Sequence, residues 1–151
     1  MRYFRPRINI CVPNISWGLD LHECDMLVLT PSGIAYEVEI KISKADLLKD
    51  KNKGHGHYNK KIGRLYFCVP AALADFASAQ IPERAGLLTV ESPSFLWAKK
   101  VREAKLSGDY RWQPWQREKL LHLGCMRLLP LIENLQRRHR DDEQIMLSEV
   151  G

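Results

Sequence analysis

Residues 23–42 read ECDMLVLTPSGIAYEVEIKI, and apolar and polar side chains alternate here with the period of two that is typical of β-strands. Pro31-Ser32-Gly33 separates two alternating runs, and glycine supplies the left-handed conformation that a three-residue hairpin loop needs. We therefore predict a β-hairpin centred on Ser32, in which residues equally distant from Ser32 oppose each other. One face is then apolar, the other carries the charges, and burial of the apolar face protects this register.

In this register the carboxylate of Asp25 lies opposite that of Glu39. Directly opposed side chains are roughly 4.5–5.5 Å apart at Cβ, and like charges at that separation destabilise a sheet. Mg²⁺ would resolve the conflict, because it prefers oxygen ligands and commonly uses one or two carboxylates together with waters and phosphate oxygens. Lys41 lies on the same face, about 6.6 Å further along the strand than Glu39, within reach of a bound water or phosphate. The alternative is a solvated strand face on which Glu23 pairs with Lys41.

These residues resemble the PD-(D/E)XK nuclease superfamily, whose core carries an aspartate on one strand and Glu-x-Lys on the next. The longer runs HECD (22–25), EVEIKISKAD (37–46), LYFCVP (65–70) and IPERAGL (81–87) are similar to the MmcB-like DNA repair proteins and to related uncharacterised phage and bacterial proteins. The resemblance extends from Ser16 to Leu129. It implies an α/β, restriction-endonuclease-like mixed β-sheet flanked by helices.

Carried over position by position, the resemblance implies Asp25 and Glu39 as metal ligands and Lys41 as the catalytic lysine. Many members of the superfamily contribute a further glutamate from a helix before the first core strand. Residues 2–21 contain no glutamate, so either Glu23 substitutes or the site is incomplete.

We therefore predict a metal-dependent nuclease that hydrolyses phosphodiester bonds of DNA in repair, recombination or phage DNA processing, with Mg²⁺ or Mn²⁺ as its cofactor. Asp25, Glu39 and the backbone carbonyl of Ile40 would hold the ion, and Lys41 would orient the attacking water. Glu23 would serve as a further ligand or as a base. A second hypothesis is a catalytically inactive, nuclease-like nucleic-acid-binding module or repair scaffold, which the missing upstream glutamate favours. A third, a phage accessory protein that acts on a host partner, rests on analogy alone.

The positive charge of the chain is concentrated next to this motif. Between Lys41 and Arg64 there are eight lysines and arginines against two aspartates, an excess larger than the net charge of +5 of the whole chain. Such a segment can follow a nucleic-acid backbone. The predicted nucleic-acid contacts are Lys44, Lys49, Lys51, His55 and His57. The alternative is a solvated helix and loop, in which the two histidines, lacking a partner pair at zinc-ligand spacing, are simple loop residues.

Further segments extend the predicted sheet and its helices. Ser43 and Asp46 form a capping box that starts a helix after the hairpin. Strands are predicted over 65–69, 86–91 and 95–98, with a helix over 71–80. A C-terminal amphipathic helix should begin at Pro114 and dock on the sheet, and Pro130 predicts a kink or a break in it. Its apolar stripe consists of Leu121, Cys125, Leu128, Ile132 and Leu135.

Length and composition indicate one compact domain, because 151 residues that are 45% apolar suffice for a single core. We expect this domain over residues 1–140 and a disordered tail over 141–151. The chain shows no bilayer-spanning apolar run and no signal-peptide core after its Arg-rich start, so we expect a cytoplasmic protein without a membrane partner. A homodimer is a further expectation, because many nucleases of this type pair to cut two strands. The four cysteines show no CxxC spacing, which predicts free thiols.

Overall fold

A mixed β-sheet forms the centre of the structure, a computed structural model that describes residues 2–50, 57–91 and 97–149. Within these residues the sheet has six strands, which lie side by side in the order of the chain. They are β1 (Ile10–Ile15), β2 (Cys24–Leu29), β3 (Ala35–Ile40), β4 (Arg64–Pro70), β5 (Gly86–Val90) and β6 (Lys99–Arg102). The helices are α1 (Lys44–Asp50), α2 (Ala74–Gln80) and α3 (Pro114–Glu149), with 3₁₀ turns at Arg2–Phe4 and Ala71–Leu73.

Strand directions follow from the lengths of the connections. β1, β2 and β3 pair antiparallel, as do β5 and β6, whereas β3, β4 and β5 run parallel. A parallel pair needs a crossover connection, and α1 and α2 lie in the two crossovers of this sheet. The α/β class and the mixed sheet flanked by helices, predicted from the sequence, are therefore confirmed.

The β2–β3 hairpin has the predicted register. Met26 pairs with Val38 and Leu29 with Ala35, and both pairs are equidistant from Ser32. Gly33 adopts a φ of +80°, the left-handed conformation that the turn requires.

One face of the hairpin is apolar and the charged residues lie on the other, as predicted, but the charged face is also buried and carries Leu27 and Leu29 as well. Both faces are covered, because a sheet with parallel central strands carries other elements on each side. Val28 and Val38 pack into a core with Phe4 on one side of the sheet. Leu27 belongs to a separate core that includes α3 residues, and the acidic residues of β3 are buried as well.

The start of α1 agrees with the sequence prediction, whereas the start of β6 does not. The Ser43 hydroxyl accepts a hydrogen bond of 3.2 Å from the Asp46 amide, as the capping box predicts, while the Asp46 carboxylate accepts one of 3.4 Å from the Ile42 amide. The last strand begins at Lys99, later than the predicted 95–98; residues 92–96 lie outside the described part of the chain.

The C-terminal helix forms where Pro114 predicts it, but a different face of it docks. Leu120 and Leu123 of α3 are buried against the β1–β2 side of the sheet, whereas the predicted stripe residues Leu121, Cys125, Leu128, Ile132 and Leu135 are exposed. The predicted stripe lies mostly in the later part of the helix, where Leu128, Ile132 and Leu135 are exposed. The helix continues through Pro130 without division, and on to Glu149 in the segment for which we expected disorder.

No helix in the described part of the chain combines the length and the apolarity needed to cross a lipid bilayer. The four cysteines are free, as predicted, and two of them, Cys24 and Cys68, are buried.

Candidate active site

A group of charged side chains is buried on one face of the sheet, next to the hairpin. Glu37, Glu39 and Lys41 alternate along β3 and its continuation, and their exposed fractions are 0%, 1% and 5%. Asp50, at the end of α1, and His57 are buried against them. We call these residues, together with the half-buried His22, the ionic cluster. Burial of so many charges is costly unless they pair, so the pairing within the cluster determines its chemistry.

Lys41 links two of the carboxylates. Its ammonium lies 2.7 Å from Oε2 of Glu39 and 2.9 Å from Oδ1 of Asp50. Burial would lower the pKa of Lys41, but its hydrogen bonds to Glu39 and Asp50 outweigh that effect and raise the pKa above its usual value. Lys41 therefore remains a cationic hydrogen-bond donor over the whole physiological pH range.

His57 lies between two carboxylates of the cluster, Glu37 and Asp50, and it shares Asp50 with Lys41. Its Nδ1 is 2.6 Å from Oε1 of Glu37, and its Nε2 is 2.5 Å from Oδ2 of Asp50. An imidazole donates from both nitrogens only when it is protonated. Burial lowers the pKa of His57, but the hydrogen bonds to Asp50 and Glu37 prevail and raise it to about 9. His57 also has a φ of +55°, which few non-glycine residues adopt, so its contacts hold it in an unfavourable backbone conformation.

We expect the metal-free protein to lose stability as the pH rises from 6.5 to 9. The pKa of His57 is higher in the folded chain, about 9, than its ordinary value of 6.5, so the folded state binds the extra proton and its stabilisation is complete below 6.5. Each pKa unit corresponds to about 1.4 kcal/mol, which makes the loss on the order of 3 kcal/mol. The loss of stability is measured by urea denaturation in the presence of a chelator at several pH values in this range, with tryptophan fluorescence as the signal.

His122, an exposed residue of α3, provides the control for this measurement. A His122→Gln variant should show the same pH dependence as the wild type. Stability that stays level or rises between pH 6.5 and 9 would contradict a protonated His57.

Glu37 receives hydrogen bonds from two histidines. Oε1 of Glu37 accepts from Nε2 of His22 at 2.8 Å as well as from His57. Burial raises the pKa of the Glu37 carboxyl, yet the hydrogen bonds from His22 and His57 outweigh it and hold this pKa below its usual value. Glu37 is therefore an ionised carboxylate in the protein interior.

The predicted ligand Asp25 lies at the end of the hairpin ladder. Regular β2–β3 pairing stops at Met26 and Val38, and beyond it Oδ2 of Asp25 accepts a hydrogen bond of 2.7 Å from the backbone amide of Ile40. This contact brings Asp25 to the residue between Glu39 and Lys41. Glu23 is exposed, and the solvated pairing of Glu23 with Lys41 that we considered is wrong, because Lys41 is buried with Glu39 and Asp50.

The predicted nucleic-acid contacts fall into three groups. Lys44 and Lys49 are exposed on α1, as such contacts require. Lys51 and His55 lie outside the described residues. His57 is in the interior rather than on a loop surface, with an exposed fraction of 3%, because its two carboxylate partners are themselves buried.

The described residues of the basic segment do not form one continuous surface. Lys41 is internal, Lys61 contacts Oδ2 of Asp20 at 2.8 Å, and Arg64 contacts Oε1 of Glu103 at 2.9 Å. Of the described residues in this segment, Lys44 and Lys49 on α1 and Lys60 are exposed, so α1 contributes exposed positive charge beside the cluster.

A cavity opens beside the cluster. It has a volume of about 340 Å³ and is lined by Leu47, Asp50, His57, Phe67, Gln80, Ile81 and Pro82. Asp50 and His57 thus face both the cluster and a space bounded by α1 and α2.

Two sets of side chains in the described part of the chain bring three potential metal-ligand atoms within 4.8 Å of one another. They are His22, Glu37 and His57, and Glu39, Asp50 and His57. Glu39 is the one residue of these sets that the sequence indicated as a ligand; His22, Glu37 and Asp50 were missed. The Glu-x-Glu-x-Lys spacing could have indicated Glu37, since it puts three charged groups on one strand face. No local signal indicates His22 or Asp50.

Comparison with known proteins identifies the fold and leaves the family open. No family model matches the chain, and no curated protein matches it. A solved structure that resembles it is the SPO1766 protein of unknown function from Silicibacter pomeroyi, with a TM-score of 0.59 and 22% sequence identity over 90% of this chain and 85% of that one. At this identity the likeness shows a shared α/β fold.

Proposed function

We propose that this protein is a metal-dependent nuclease that hydrolyses phosphodiester bonds of DNA, in repair, recombination or phage DNA processing. The observation that carries the proposal is the contact between Asp25 and the Glu39–Lys41 segment. The Asp25 carboxylate reaches the Ile40 amide at 2.7 Å, so an acidic group from one strand meets a Glu-x-Lys motif on the next. The resemblance to PD-(D/E)XK nucleases rests on this same constellation.

The residues present suit a Mg²⁺ or Mn²⁺ ion. Asp25, Glu39 and the backbone carbonyl of Ile40 offer oxygen donors only, which these ions prefer. When bound there, the ion would polarise the scissile phosphate and lower the pKa of a coordinated water.

Lys41 has a defined part in this proposal. Because its hydrogen bonds to Glu39 and Asp50 keep it protonated, it cannot accept a proton from water. It acts instead as a donor that orients the attacking water and stabilises negative charge on the phosphate oxygens. Glu23 is exposed near the open end of the hairpin and remains our candidate for a further ligand or base.

The exposed lysines of α1 give the substrate a place to bind. Lys44 and Lys49 belong to α1, the first helix after the Glu-x-Lys motif of residues 39–41. Lysines supply sequence-independent, salt-sensitive contacts to phosphates. DNA lying along α1 would bring its backbone to the end of the hairpin where Asp25 contacts Ile40.

One observation favours the alternative of an inactive nucleic-acid-binding module or repair scaffold. Lys41 already has two carboxylate partners, Glu39 and Asp50, and is 5% exposed. With these two carboxylates as partners, the ammonium of Lys41 needs neither substrate nor metal to compensate its charge. The two functions differ in one measurable property, cleavage of DNA.

The test is cleavage of supercoiled plasmid and of single- and double-stranded oligonucleotides with Mg²⁺, with Mn²⁺ or with a chelator. We expect metal-dependent cleavage by the wild type and a loss of at least about 100-fold in Asp25→Asn. Asparagine keeps an oxygen that can accept the Ile40 hydrogen bond, so the change removes charge with little effect on the fold. Asp20→Asn, an exposed carboxylate, is the matched control and should cleave normally. Salt-dependent DNA binding without cleavage under any of these conditions would refute the enzyme and support the binding module.

A further inference from the structure

The histidines of the ionic cluster converge on one carboxylate oxygen. Nε2 of His22 and Nδ1 of His57 lie 2.8 Å and 2.6 Å from Oε1 of Glu37, and the three potential ligand atoms are within 4.8 Å of one another. We propose that His22, Glu37 and His57 form a binding site for a divalent transition-metal ion of the Zn²⁺ class, separate from the oxygen-ligand site at Asp25 and Glu39. This proposal does not depend on nuclease activity.

The second oxygen of Glu37 supports the site independently. Glu37 is fully buried, and its Oε2 has no hydrogen-bond partner among the residues that the structure describes. A buried carboxylate oxygen without a donor is costly, and such groups are rare in folded proteins. A cation held by His22, Glu37 and His57 would compensate this oxygen.

Asp50 is placed to orient His57 for metal binding. Its Oδ2 lies 2.5 Å from Nε2 of His57, so Nε2 keeps its proton for Asp50 and Nδ1 faces Glu37. A metal-bound histidine usually donates a hydrogen bond from its other ring nitrogen to a carboxylate, which fixes the tautomer and the ring orientation. Binding of the ion displaces the proton from Nδ1 to solvent, and the bond to Asp50 is retained.

The ligand set determines the class of ion. Two imidazole nitrogens and one carboxylate oxygen favour Zn²⁺, Co²⁺ or Ni²⁺ over Mg²⁺, which prefers oxygen ligands. The three ligands come from the loop before β2, from β3 and from the segment after α1. An ion bound by all three would tie these segments together and stabilise the fold, because it binds only the folded state.

The test is titration of the metal-free protein in the absence of DNA. Binding of Co²⁺ is measured by its visible absorption, and binding of Zn²⁺ is measured by equilibrium dialysis. We expect one tightly bound ion per chain, with a Co²⁺ spectrum that indicates nitrogen ligands. Losing a residue that only hydrogen-bonds to a metal ligand typically weakens binding by roughly 10- to 100-fold. His22→Ala should weaken binding by more than this, because it removes a ligand directly. His22 is half-buried in a loop, so this variant should fold.

Two control variants separate this site from its neighbours. His122→Ala removes an exposed histidine of α3 and should bind as the wild type does. Asp25→Asn should also bind normally, because Asp25 is in neither three-ligand set. Binding that survives His22→Ala but is lost in Glu39→Gln would place the ion at Glu39, Asp50 and His57 and overturn the proposal. Absence of Co²⁺ and Zn²⁺ binding would overturn it as well, whether or not the protein cleaves DNA.

Discussion

Glu39→Gln should lower the rate of metal-dependent DNA cleavage by about 1,000-fold or more while the protein remains folded. In the proposed mechanism Glu39 both binds the ion and holds Lys41, so its charge serves two functions at the reacting phosphate. Groups that act as a unit lose most of the activity when one member is removed. Glutamine has nearly the same shape and keeps an oxygen that can accept the 2.7 Å hydrogen bond from Lys41.

Cleavage kinetics and folding are measured on the same preparation of Glu39→Gln. Single-turnover cleavage with saturating Mg²⁺ or Mn²⁺ reports the chemical step, and far-UV circular dichroism reports the fold. Glu118→Gln, an exposed position on α3, is the matched control and should retain wild-type activity. Wild-type cleavage by Glu39→Gln would remove this residue from the mechanism.

Lys41→Met should lower the free energy of unfolding by about 3–5 kcal/mol. Methionine preserves most of the apolar stem but removes the ammonium that contacts Glu39 and Asp50, so Glu39 loses its lysine partner and Asp50 keeps its contact with His57. Removing one partner of a buried ion pair is strongly destabilising because the remaining charge is uncompensated. Urea denaturation at neutral pH measures the difference, and any loss of cleavage in this variant has to be interpreted against its lower stability.

A double variant tests the origin of that loss. Lys41→Met combined with Glu39→Gln also removes the carboxylate charge that Lys41 neutralised, so part of the stability should return and the two changes should be non-additive. Lys105 pairs with Glu83 at the surface. Lys105→Met should therefore change the midpoint of urea denaturation far less than Lys41→Met does. Equal effects of Lys41→Met and Lys105→Met would show that the cluster does not depend on its buried cation.

Local patterns predicted the hairpin and its register. The turn Pro31-Ser32-Gly33 fixes which residues oppose each other, and a one-residue shift would exchange the two faces of both strands. The start of α1 at the Ser43–Asp46 cap and the start of α3 at Pro114 were predictable for the same reason. Each depends on contacts between residues a few positions apart.

The candidate site was predictable only in part. Asp25, Glu39 and Lys41 follow from strand spacing and from the resemblance to a nuclease superfamily. His22 and Asp50 could not be predicted, because they meet Glu37 and Lys41 through contacts between distant segments. His57 was indicated as a surface contact for nucleic acid, and its burial became evident only from its two carboxylate partners.

The sequence by itself determined the alternation of Glu37, Glu39 and Lys41 on one strand face, because side chains of a β-strand alternate whatever covers them. Only the tertiary structure decided that this face is buried beneath Asp50 and His57. That outcome depends on how the parallel crossovers stack on the sheet, and strand periodicity carries no information about which elements lie above it. Burial then decides the chemistry, because the same charges that would be hydrated at a surface must pair with each other, or bind a cation, in the interior.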